Sequence, residues 1–66
     1  MLEYFKLILS KVSFDKNLFE KELKKAIRSL LPKEIIALKD WCYRKFGNMY
    51  EAVLIKCFKS VDYQIA

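Results

Sequence analysis

Lys21, Lys24, Lys25 and Arg28 recur at three- and four-residue spacing, and Lys33 follows them. At 100° per residue the four fall within about 100° of arc on one helix face. Nucleic-acid backbones are met by such strips, because phosphate contacts come from clustered Lys and Arg. The same spacing also suits a solvated face with local ion pairs, and Glu20 with Lys24 is such an i,i+4 pair. A second cluster joins Arg44, Lys45 and the backbone at Gly47 to Trp41 and Tyr43. Basic residues interleaved with aromatics hold single strands by stacking. The competing assignment is charge that complements a helix C-terminus, beside aromatics that belong to a core.

Other chemistry is scarce. The 66 residues contain no histidine, which removes the usual neutral-pH acid or base, the commonest metal ligand and the usual partner of a Ser or Cys nucleophile. There is no Cys-x-x-Cys, no glycine-rich loop and no nucleophile elbow. Glu20 and Glu22 point different ways on a helix, as do Glu34 and Asp40, so no carboxylate pair forms. The expectation is a non-enzyme with no cofactor, no metal and no small-molecule substrate. So short a chain spends its interior on its own core rather than on a large pocket. Thirteen Lys and Arg against eight Asp and Glu give a net charge of +5, which leaves charge as the main functional clue.

The N-terminal stretch MLEYFKLILSKV carries Glu3 and Lys6, with no basic leader region and no small-residue cleavage site. No apolar run approaches the roughly 20 residues of a membrane span. The expected setting is cytoplasmic, without membrane association, with Cys42 and Cys57 reduced and buried as small hydrophobes.

One Gly, one Pro and no Thr leave little turn material, and the apolar periodicity is helical throughout. The first helix spans about Leu2 to Val12, with Leu2, Phe5, Ile8, Leu9 and Val12 on one stripe and Leu7 on the far side. Asp15 is a good N-cap for a second helix, with Phe14 and Phe19 as its hydrophobic staple. Asn17 with Glu20 is a competing capping box. The second helix runs to about Leu31, on a stripe of Phe19, Leu23, Ala26, Ile27, Leu30 and Leu31. Pro32 marks the next boundary, and the third helix runs from about Lys33 to Phe46. Its apolar arc is wide: Ile35, Leu38, Cys42 and Phe46 at the centre, Ile36 and Tyr43 on one flank, Trp41 on the other. It therefore packs against two neighbours. Gly47-Asn48 is the clearest break, with Gly in the left-handed position and Asn capping a fourth helix, about Met49 to Val61. Asp62 to Ala66 reads as a frayed tail.

The third and fourth helices then form an antiparallel hairpin about residues 47–48. Cys42 faces roughly residue 53, and an offset of about 6 Å along the axis keeps Cys57 beyond disulfide reach. The expected fold is all-α: one domain over residues 1–66, a compact bundle of three to four helices, three long and a shorter one at an end. A helix-turn-helix is disfavoured by the short Leu31-Pro32 connection and the apolar third helix.

The stretch VSFDKNLFEKELKKAIRSLLPKE, followed by LKDWCYRKFG, resembles short all-helical bacterial proteins, and among them a lineage-restricted accessory protein of the large ribosomal subunit. That resemblance implies a structural protein docked on the ribosome surface, with rRNA and neighbouring ribosomal proteins as partners. The residue-level expectation agrees in kind: Lys21, Lys24, Lys25, Arg28, Lys33, Arg44 and Lys45 contact phosphates. The alternative is a helical protein-interaction module, a small regulator or inhibitor with a single protein partner. Its surface would use Leu7, Ile55 and Tyr63, with Tyr4 and Ile65 also facing outward.

Overall fold

The computed structural model describes the backbone of residues 1–65 and the side chains through Lys59. It is all-α, with three helices: α1 (Leu2–Lys11), α2 (Lys16–Ser29) and α3 (Pro32–Ile65). Each boundary has a local cause. Val12 ends α1, its N–H donating to the Ile8 carbonyl. Asp15, in extended geometry, caps α2 by accepting from the N–H groups of Asn17 at 3.0 Å and Leu18 at 3.2 Å. The alternative cap by Asn17 and Glu20 does not form, because Glu20 is turned to two lysines. The staple does not form either. Phe14 is 80% exposed while Phe19 is fully buried.

α2 stops at Ser29, two residues earlier than its apolar stripe suggests. Leu30 is extended, and its N–H donates to the Ala26 carbonyl to close the last turn. Leu31 is therefore outside the core, 59% exposed. Pro32 supplies the first helical residue of α3. The Glu34 carboxylate reaches back to accept from the Leu31 N–H at 3.1 Å, the arrangement of a capping box with no hydroxyl partner.

The break expected at Gly47-Asn48 is absent. Gly47 has no positive φ, and the helix passes through it. The chain bends instead at Tyr50, the one non-helical residue inside α3 (φ −126°, ψ 33°). The bend is large. A straight helix of this length would measure about 51 Å, whereas the molecule extends only 31 × 23 × 19 Å. Side chains explain the site of bending. Tyr50 stacks on Phe19 (4.7 Å between ring centroids), and its hydroxyl donates to the Ser13 carbonyl in the α1–α2 connection. An aromatic anchor three residues beyond the glycine decides where the backbone gives way.

The two arms of α3 fold back on one another, so the bundle has four helical segments. Tyr43 on the first arm meets Phe58 on the second at 6.4 Å. With the hinge near residue 50 rather than 47–48, the register across the arms differs from the one expected. Residue 43 pairs near 58, and Cys42 and Cys57 come into each other's neighbourhood as buried free thiols. The core runs the length of the bundle, from Phe5 and Leu9 on α1 through Phe19, Leu23 and Ala26 on α2 to Leu38, Cys42, Leu54 and Phe58 on α3. Trp41 and Tyr43 pack at its edges as a wide apolar arc requires, but Ile36 of the same arc is exposed. Val61, the expected end of the fourth helix, and the outward assignments of Tyr63 and Ile65 lie outside the described side chains.

Candidate nucleic-acid interface

α2 presents its core face through Phe19, Leu23 and Ala26, all fully buried. Its opposite face carries Lys21, Lys24, Lys25 and Arg28, all exposed. That opposition is the 3.6-residue period expressed in three dimensions. From Lys21 to Arg28 the strip rises about 10 Å along the helix axis. Glu20 and Glu22 sit about 100° to either side of Lys21, so the cationic band is narrow and edged by acids.

The four cations are not equivalent. Lys24 Nζ lies 3.2 Å from Glu20 Oε2, and Lys56 Nζ reaches the same oxygen at 3.7 Å from the second arm of α3. The Lys24 hydrogen bond holds the Glu20 carboxyl below its ordinary range; desolvation opposes it, and the nearby Lys56 and Lys24 charges add to it. Glu20 thus stays anionic and ties α2 to α3. Lys21, Lys25 and Arg28 have no ion pair among the described residues. Their charges are available to an outside anion without first breaking a local bond.

The other expected phosphate contacts lie elsewhere. Lys33 is exposed in the first turn of α3, and Arg44 shares the outer face of that arm, where its Nε pairs with Asp40 at 3.2 Å. Lys45 is turned toward α1. Its Nζ lies 3.4 Å from Ser10 Oγ and 5.4 Å from the centre of the Trp41 ring. Lys6 of α1 comes over the same ring at 5.9 Å. Trp41 therefore joins α1 to α3 between two ammonium groups, each such contact contributing about 0.5–1 kcal/mol at a partly exposed site. Tyr43 is committed to Phe58. The cluster that could have served as a stacking platform is part of the bundle's own seam.

Two participants escaped the sequence reading. Lys56 joins the α2 strip across 36 residues, and Lys6 reaches Trp41 across 35. Neither has a spacing signal, because both depend on how α3 packs against α1 and α2. Leu7 and Ile55 are exposed as expected, at 55% and 49%. Tyr63 lies outside the described side chains. Among the described residues no group of His, Cys, Asp or Glu could hold a metal ion, and no helix is long and apolar enough to cross a membrane.

No known protein family matches the chain, and no curated protein or solved structure matches it either. The resemblance to ribosomal accessory proteins therefore has no relative behind it, and function must be argued from the surface itself.

Proposed function

We propose that this chain is a small structural protein that binds rRNA within a ribonucleoprotein particle, the ribosome, through the outer face of α2. One observation carries the reading: Lys21, Lys25 and Arg28 are exposed and aligned on one helix face and have no ion pair among the described residues, with Lys24 and Lys56 beside them. Each phosphate contact by such a cation releases condensed counterions, which makes binding favourable and salt-dependent. Base stacking on Trp41 and Tyr43 is not part of this reading, since both rings are engaged internally. Arg44 and Lys33 are left as peripheral phosphate contacts.

The exposed Leu7 and Ile55 favour a second reading, a protein-interaction module acting as a small regulator or inhibitor. Within a particle the same residues suit neighbouring ribosomal proteins. Sedimentation of the tagged protein from lysate through sucrose, in low and high salt, separates the two. The RNA reading expects co-migration with ribosomal particles at low salt. With four phosphates neutralised, affinity falls roughly a hundredfold between about 50 and 200 mM salt. Free sedimentation with one bound protein partner at both salt concentrations would overturn it.

A further inference from the structure

Resting on the RNA reading, we infer that the α2 strip docks along the backbone of double-helical RNA and does not grip unpaired bases. Proteins that hold single strands combine positive charge with aromatic side chains on which bases stack, each stacked base being worth about 1–3 kcal/mol. α2 itself has no such platform, and the exposed Phe14 and Tyr4 lie outside it. The only aromatic residue in α2 is Phe19, which is fully buried against Phe46 (5.0 Å) and Tyr50 (4.7 Å). Trp41 sits between Lys6 and Lys45, and Tyr43 lies against Phe58.

From Leu18 to Arg28 there is also no Asn, Gln, Ser or Thr with which to read a base edge. What the face does offer is regular. Lys21, Lys25 and Arg28 stand about 6 Å and then about 4.5 Å apart along a straight axis. Glu20 and Glu22 edge the band, limiting it to about one strand's width. A row of cations spaced by a helix backbone suits a row of phosphates spaced by a duplex, whereas a flexible strand must first be ordered to present one. Contacts to phosphate position a protein without reading sequence, and double-stranded RNA is recognised largely by shape.

The test compares a blunt RNA duplex with an unstructured oligouridine strand carrying the same number of phosphates, by fluorescence anisotropy at fixed salt. The duplex should bind at least about tenfold more tightly, the equivalent of about one missing stacked base. Lys25→Glu should lower duplex affinity about tenfold, through loss of one contact and gain of one repulsion. Lys16→Glu is the matched control. It makes the same charge change at the first residue of α2, off the strip, where an acid suits the helix N-terminus. It should lower affinity less than about threefold. Oligouridine bound as tightly as the duplex would overturn this inference and leave the RNA reading standing. Equal losses in the two variants would overturn the strip as the contact. Failure to bind either RNA would overturn the RNA reading and this inference with it.

Discussion

Cys42 and Cys57 are buried thiols whose environment suppresses ionisation. Burial, then the nearby Cys57 thiol, pushes the Cys42 thiol up to about 12, and burial, then Glu20, raises that of Cys57. An unfolded chain ionises its thiols near about 8.5. The folded state therefore favours the neutral thiol. The associated stability is present below about pH 8.5 and is lost progressively as pH rises toward about 12. Urea unfolding of the native protein and of Cys42→Ala should diverge between about pH 8 and about pH 11, the native protein losing more stability. Parallel profiles would contradict the assignment. Asp15 is the opposite kind of residue, exposed to local forces alone. Asp15→Ala should cost about 1 kcal/mol, seen as a lower denaturation midpoint. Its role was legible in the sequence because a cap and the N–H groups it satisfies are two and three residues apart. The Glu20–Lys56 pair was not legible, because it needs the fold-back of α3.

α3 is where local signals and tertiary packing disagree. Gly47 looked like a helix end, yet it is helical, and a Cβ built on it would meet nothing within 4 Å. Gly47→Ala should therefore stabilise the protein by about 0.5–1 kcal/mol, by removing unfolded-state freedom at no steric cost. A loss of similar size would show that Gly47 uses a backbone geometry closed to alanine. The bend belongs to Tyr50, which ties the helix to Phe19 and to the Ser13 carbonyl. Tyr50→Phe keeps the ring and loses the hydroxyl, and should cost about 1 kcal/mol by chemical denaturation with helicity retained. A glycine reads as a break from sequence because its freedom is intrinsic. The contact that holds this bend is with Phe19, 31 residues away, which no local pattern reveals.

At the scale of the molecule, amphipathic periodicity was enough to specify an all-α bundle with α2 turned cation-side out. It assigned Phe5, Leu9, Phe19, Leu23, Leu38 and Cys42 to the core, where all six lie. What it could not supply was the hinge, and with it the register between the arms of α3 and the location of Lys45. A body of this size leaves 4661 Å² exposed, close to the roughly 4,400 Å² that chain mass alone implies. Small domains of this kind bury too little to be very stable alone, and binding to a larger particle stabilises them by mass action.

In the proposed function, Lys21, Lys25 and Arg28, which have no ion pair among the described residues, attach the protein to RNA. Lys21→Glu, Lys25→Glu and Arg28→Glu combined reverse those charges on a face that contributes nothing to the core, so circular dichroism should show helicity unchanged. The decisive measurement is sucrose-gradient co-migration of this triple variant with ribosomal particles at low salt, beside the native protein. The native chain should travel with the particles and the folded variant should stay at the top of the gradient. A folded variant that travels with the particles as fully as the native chain would contradict it.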